Sequence, residues 1–138
     1  VRIEWNMTEG LEQLLRMVEE KSGQAVEAMV EAIEEGQRQL YDEYKDGLER
    51  HNKNDLTIDS LEIKPVIRDG NIISGEVGSF MEKNEAGFWH ARYQEYGAKT
   101  KKGVVTFVAD PWKRPADDAI RKKFTKIAKS ILKRRLGI

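Results

Sequence analysis

Two Pro-centred pairs and two glycines punctuate the stretch from Tyr93 to Ala116, YQEYGAKTKKGVVTFVADPWKRPA, and leave a chain few ways through it. Trp89, Arg92, Tyr93 and Tyr96 recur at steps of three and four, which predicts a short helix ended by Gly97 in a left-handed conformation, with an extended strand as the alternative. The three aromatics would then share one face. Lys99 to Gly103 is a basic loop, KTKKG, expected to be mobile because little in it favours burial. Val104 to Val108 is β-branched and aromatic, the clearest strand in the chain by propensity. The residue before a proline prefers extended backbone, so Asp110-Pro111 and Arg114-Pro115 predict a stiff exit from that strand. Pro115 suits the first turn of a helix, where its missing N–H has no intrahelical partner.

The last helix carries Ala116, Ile120, Phe124, Ile127, Ile131 and Leu132 on one side, starts with Asp117 and Asp118, and ends with Lys133, Arg134 and Arg135 before Gly137. Both charge signs stand where the helix dipole prefers them. Upstream, Val1, Ile3 and Trp5 alternate with Arg2 and Glu4 as in a short strand. Asn6 or Thr8 can cap a helix with Leu11, Leu14, Leu15 and Val18 at helical spacing, and Ser22-Gly23 breaks or bends it. A longer run follows, with Val26, Met29, Val30, Ile33, Leu40, Tyr44 and Leu48 in one apolar stripe. Gly36 and Gly47 weaken that run, so either a neighbour packs closely there or the helix frays. His51 to Asp59 is polar and turn-rich and reads as a connection. Leu61, Ile63, Val66 and Ile67, then Asp69-Gly70, then Ile72, Ile73 and Val77 read as a hairpin on a primed turn, with Pro65 demanding an edge or a bulge.

These elements make an α+β fold in one domain over 1–138: a bent helical segment (6–50), a small antiparallel sheet of three or four strands with a short helix (60–108), and a C-terminal helix (115–136) packed across one sheet face. At 138 residues the chain can bury roughly two-thirds of its unfolded surface. Without cysteine it has no disulfide framework and no thiolate metal site. No apolar run approaches the roughly 20 residues of a membrane span, and the N-terminus lacks a signal pattern, so a soluble protein is expected.

A net charge of zero hides a gradient. Residues 1–50 carry 6 Lys/Arg against 13 Asp/Glu, residues 51–98 carry 5 against 8, and residues 99–138 carry 13 against 3. Acidic and basic halves attract, within a subunit or between neighbours. The charged face of the long helix, with Glu27, Glu31, Glu34, Glu35, Arg38, Asp42 and Glu49, reads as a solvated face rather than an acidic contact surface.

No set of nucleophile and base, paired acid and base, or metal ligands appears, so no enzyme, metal or cofactor is expected. His51 and His90 are the only imidazoles, and neither has a second ligand at helical spacing. His90 with Glu95 is the one conceivable base pair; a structural or surface role is favoured.

The string Tyr93-Gln94-Glu95-Tyr96-Gly97-Ala98, followed by Ala109-Asp110-Pro111-Trp112-Lys113-Arg114-Pro115-Ala116, resembles the head-to-tail joining, or tail-completion, proteins of long-tailed DNA phages and prophages. There an aromatic-Glu-aromatic-Gly-small string precedes a Pro-aromatic-x-Arg-Pro-Ala string. Glu95, Tyr96 and Gly97 match the first, although Ala98 stands where Thr is more usual; Pro111, Trp112, Arg114, Pro115 and Ala116 match the second. The segment HNKNDLTIDSL departs from the family, which often has Pro and Thr-Gly-x-Leu there. The resemblance implies a virion structural protein of the neck, assembled in the bacterial host cytoplasm, that forms a ring, commonly a hexamer, around the DNA exit channel. Its implied partners are head-side connector proteins and tail tube or terminator proteins, with DNA only as passing cargo and no membrane.

The resemblance also implies structural roles for Glu95 and Arg114. They pair, or each bonds backbone near the Gly97 turn, against the alternative of two unrelated surface charges. Trp112 is favoured as a core plug over a contact residue. Lys99, Lys101 and Lys102 with Lys122, Lys123, Lys126, Lys129, Lys133, Arg134 and Arg135 form a candidate basic contact face. It suits acidic partner subunits or, as the alternative function, the phosphates of a nucleic acid.

Overall fold

The computed structural model describes residues 2–6, 22–50, 55–70 and 72–137. The expected first helical run, Leu11 to Val18, lies outside the described residues, and Ser22 and Gly23, where the break or bend is expected, are the first two residues of the helix that follows. The period-two pattern at the start forms β1, Arg2–Asn6. Asn6 is the last residue of this strand; the cap expected at Asn6 or Thr8 lies against residues outside the described ones, and the helical segment expected from residue 6 is described only from Ser22. There α1, Ser22–Glu49, runs unbroken for 28 residues, about 42 Å at 1.5 Å per residue.

The stripe that predicted α1 is what it buries. Met29, Ile33, Leu40, Tyr44 and Leu48 are no more than 2% exposed, and Ala25, Ala28 and Ala32 are fully buried beside them. Burying a large apolar side chain contributes about 1.5–3 kcal/mol, enough to hold two glycines in a helix. At Gly47 close packing is the reason: a Cβ there would lie 3.2 Å from the Trp112 carbonyl oxygen. Gly36 is buried too, and α1 does not fray at either.

The polar connection expected before the sheet instead contains a short helix, α2, Asp55–Ser60. Its last residue is tied to the sheet, Ser60 Oγ lying 2.6 Å from Ser79 Oγ. The sheet is centred on β4, Ile72–Ser79, with β1 antiparallel on one side. On the other side lie β2, Leu61–Ile63, and β3, Ile67–Asp69. Ile63 pairs with Val77 but Ile67 pairs with Ser74, so four steps along one strand answer three along the other. The extra residue is a β-bulge at Lys64 to Val66, where Pro65 cannot donate to a ladder. Asp69 pairs with Ile72 and is the last strand residue; Gly70, with φ 59°, opens the turn.

The bulge is sealed from the helix side. Gln37 of α1, 1% exposed, donates its Nε2 to the carbonyls of Lys64 (2.8 Å) and Glu76 (3.3 Å). Gly75 makes room for this: a Cβ there would stand 2.4 Å from Gln37 Nε2 and 2.8 Å from Ile33 Cγ2.

After a turn-rich loop comes the predicted short helix, α3, Phe88–Tyr96. Gly97 has positive φ, 73°, but its ψ of −178° is extended rather than left-handed helical, and its N–H closes the helix onto the Tyr93 carbonyl at 2.7 Å. The strand expected over Val104 to Val108 is shorter and separate. β5, Ala98–Lys99, and β6, Val105–Phe107, make a two-stranded sheet of their own. Val104 and Val108, 61% and 79% exposed, have no sheet face to cover them. The KTKKG segment is a hairpin turn, Thr100 N–H bonding Val104 O at 2.8 Å and Gly103 N–H bonding Thr100 O at 2.9 Å.

The C-terminal helix, α4, spans Lys113–Leu136, two residues earlier than Pro115 suggested, and ends at Gly137 (φ 67°, ψ 33°). Its chief partner is α1, which in turn covers the sheet. Ala116, Ile120, Leu132 and Leu136 share one core with Leu61, Ile73 and Val77. Ala32, Ala128 and Ile131 let the two helices close on each other further along. The architecture is thus α+β, with α4 laid on the core through α1. Ion pairs edge the α1–α4 seam: Lys123 with Glu43 (3.7 Å), Arg135 with Glu27 (3.3 Å) and Glu31 (3.2 Å), and Arg134 with Glu31. The acidic and basic halves therefore meet within a single chain.

Candidate functional site

The two motif strings converge on the N-terminus of α4. A helix leaves its first four N–H groups without intrahelical partners, and here they belong to Trp112, Lys113, Arg114 and Pro115. Pro115 has none to leave. The other three are taken by one carboxylate from another helix: Glu95 Oε2 accepts from Trp112 N and Lys113 N, both at 2.8 Å, and Oε1 accepts from Arg114 N at 3.0 Å. Glu95 is 2% exposed. A carboxylate stripped of water is tolerated when charge-assisted bonds and the positive end of a helix dipole replace the solvent.

The expected Glu95–Arg114 pair is present but secondary. Arg114 Nε lies 3.7 Å from Oε1, and the guanidinium side chain is 65% exposed. The carboxylate locks α3 to α4 through backbone N–H groups. This also explains why Arg114 is helical although a proline follows it, against the usual extended preference: its N–H is held in place.

Gln94 makes a second tie one residue earlier. Its Nε2 donates to the Asp110 carbonyl at 3.1 Å while the Asp110 N–H bonds the Gln94 carbonyl at 2.8 Å. Arg50, at the end of α1, joins from outside, donating to the Pro111 carbonyl at 3.2 Å and pairing with Asp110 at 3.6 Å. Trp112 is the plug beneath, 6% exposed. Its Nε1 donates to the Ala91 carbonyl at 3.1 Å, and its ring meets Tyr44 edge-on, centroids 5.4 Å apart. Ala116 is buried one turn on, whereas Pro111 is half-buried and Pro115 exposed.

Behind the plug, the Tyr44 hydroxyl donates to Asp117 Oδ1, and Lys113 Nζ holds Oδ2 at 3.3 Å. Burial, and then the hydrogen bond and charge of Asp117, push the Tyr44 phenol far above its ordinary range. Beside this cluster a cleft of about 180 Å³ opens, lined by Phe80, Met81, Phe88, Ala91, Tyr96 and Trp112 among others, with Glu95 and Lys113 on its wall.

The aromatics whose spacing predicted α3 do not supply its buried face. Ala91, Gln94 and Glu95 are its buried residues. Trp89, Tyr93 and Tyr96 are 46%, 37% and 61% exposed, with Trp89 and Tyr93 stacked at 5.6 Å. Tyr93 and Tyr96 thus belong to the surface, outside the lock. The bonds of Gln94, Tyr44 and Asp117 escape sequence reasoning because a buried polar residue is identified by its partners, and those lie up to 73 positions away.

The candidate basic face divides. Lys99, Lys101 and Lys102 sit on the β5–β6 hairpin. On α4, Lys123, Arg134 and Arg135 are engaged by α1 carboxylates, whereas Lys122, Lys126, Lys129 and Lys133 are exposed and line one trough with Thr125 and Ser130. Among the described residues no group of three or more His, Cys, Asp or Glu is placed to hold a metal. No described helix is long and apolar enough to cross a membrane. Comparison of the chain with protein-family models, curated proteins and solved structures finds no match.

Proposed function

We propose that this chain is a structural protein of a phage or prophage neck, acting in tail completion and head-to-tail joining by assembling as a ring around the DNA exit channel. The observation that carries the reading is the Glu95 clamp. The two short strings of the family resemblance, separated by a hairpin, act as one device that fixes α3 to the start of α4. Residues spent this way are residues of a scaffold, and the reading assigns them no turnover.

A closed ring needs two different surfaces on each subunit. The charge gradient is partly consumed inside the chain by the α1–α4 ion pairs. The exposed aromatics of α3 and the exposed valines of the β5–β6 hairpin, with Leu56 and Ile67 elsewhere, are among the apolar surfaces available for contact with like subunits, head-side connectors or tail proteins. The test is immunogold electron microscopy on phage particles from a strain that encodes the chain. Label at the head–tail junction is expected. Particles free of label, with the chain recovered only from the unassembled fraction, would overturn the reading.

A further inference from the structure

We infer that Lys122, Lys126, Lys129 and Lys133 form a weak, sequence-independent contact for the phosphate backbone of a nucleic acid. The steps of four, three and four place them in one row along α4, about 16 Å long at 1.5 Å per residue. All four are exposed. What sets them apart is their neighbours. Lys113, Arg114, Lys123, Arg134 and Arg135 of the same helix each have a carboxylate within ion-pair distance. Among the described residues the row of four, like Arg121, has none within that distance, although Lys126 also borders a second cleft with Glu31, Glu34 and Glu35.

The chemistry of the trough selects the partner. Its lining is Lys122, Thr125, Lys126, Lys129, Ser130 and Lys133, all polar, with hydroxyl donors between the ammonium groups. Protein interfaces are centred on apolar and aromatic anchors and are depleted in lysine; this trough offers no anchor. The planar groups that fix a base by a rigid two-bond geometry, those of Arg, Asn and Gln, do not line it, although lysine can also meet a guanine edge. Ammonium groups are point charges that meet phosphate oxygens without demanding a geometry. A row of them neutralises phosphates and reads no sequence. The inference stands on the α4 surface alone and does not require the neck reading.

The test is fluorescence anisotropy of a labelled DNA duplex with the full chain across salt concentration. Four neutralised phosphates give a limiting slope of about −3.6 in log affinity against log salt, a loss of about 100-fold between about 50 and 200 mM. The variant carrying Lys122→Gln, Lys126→Gln, Lys129→Gln and Lys133→Gln should lose at least about tenfold in affinity and most of that slope. Arginine at the same four positions should keep both. The hairpin variant Lys99→Gln, Lys101→Gln, Lys102→Gln should bind as the parent does, and unrelated duplex sequences should bind alike.

Matching thermal melts would confirm that the exposed substitutions leave the fold intact. The inference is overturned if the parent does not bind at about 50 mM salt. It is equally overturned if the glutamine row binds unchanged, if the hairpin variant loses the binding, or if polyglutamate competes as well as DNA does, which would assign the row to an acidic protein.

Discussion

At the scale of single residues, the molecule turns on what surrounds one carboxylate. Glu95 replaces water with three backbone N–H donors at 2.8–3.0 Å, while the guanidinium of Arg114 stands farther off and mostly in solvent. The two residues matching the family strings are therefore unequal. Glu95→Gln keeps the shape but gives up charge-assisted bonds and the dipole interaction, and should cost about 1–3 kcal/mol. Arg114→Gln removes an exposed partner and should cost about 0–1 kcal/mol. Thermal melting checks both: at roughly 3–5 °C for each kcal/mol in a chain of this size, the first should fall visibly and the second hardly at all. Equal shifts would mean that the side-chain pair, not the cap, holds α3 to α4. The sequence made the importance of Glu95 legible through its place in the string, and left its partners illegible, since backbone N–H groups are the same for every residue. The spacing of the aromatics likewise left open whether their face turns inward. Apolar spacing marks a buried face only when nothing better fills it, and here a carboxylate and an amide with ready-made partners took the inner side.

At the scale of elements, long stripes were readable throughout, whereas short strands were readable as strands but not always in their pairing. α1 and α4 carry apolar positions over many turns, and their faces follow from spacing alone. The separate β5–β6 sheet did not follow, because a β-branched run states a preference for extension without naming a strand to pair with. The bulge at Pro65 was anticipated from the missing N–H, yet its seal was not, since Gln37 lies 27 residues from Lys64. That seal is a device of three parts: a bulged carbonyl, an amide that reaches it, and a glycine that lets the amide pass. Gly75→Ala should cost about 1–3 kcal/mol by forcing Gln37 and Ile33 aside. Gln37→Ala should cost about 1–3 kcal/mol by leaving the Lys64 carbonyl without its donor. If the three parts work together, Gly75→Ala costs less where Gln37 is already alanine. A double-mutant cycle by urea unfolding should give a coupling of at least about 0.5 kcal/mol. Strict additivity would show that Gly75 serves only the sheet and not the amide.

At the scale of the whole molecule, an acidic half folds against a basic half, but exposed ion pairs contribute only about 0–1 kcal/mol each and cannot be the main bond between them. Apolar packing of α1 on α4 does most of that, and it is fixed in register by one buried polar contact, Tyr44 to Asp117. The contact gives the molecule a sensitivity to base. The folded state raises the Tyr44 pKa, so below the ordinary tyrosine value of about 10 the phenol is protonated in both states and its stabilisation is complete. Above that value the unfolded chain releases the proton and the folded chain keeps it. The unfolded state then binds fewer protons, and stability falls by up to about 1.4 kcal/mol for each pH unit. Other groups titrate in the same range, so the comparison that isolates Tyr44 is with Tyr44→Phe. That variant should be weaker by about 1–2 kcal/mol near neutral pH, having lost the hydrogen bond, and should lack this alkaline slope. The gap between the parent and Tyr44→Phe, read from urea midpoints, should therefore narrow between about pH 10 and 11. A gap that stays constant over that interval would mean that the Tyr44 proton is not held by the fold, and that the contact with Asp117 is not what fixes α1 against α4.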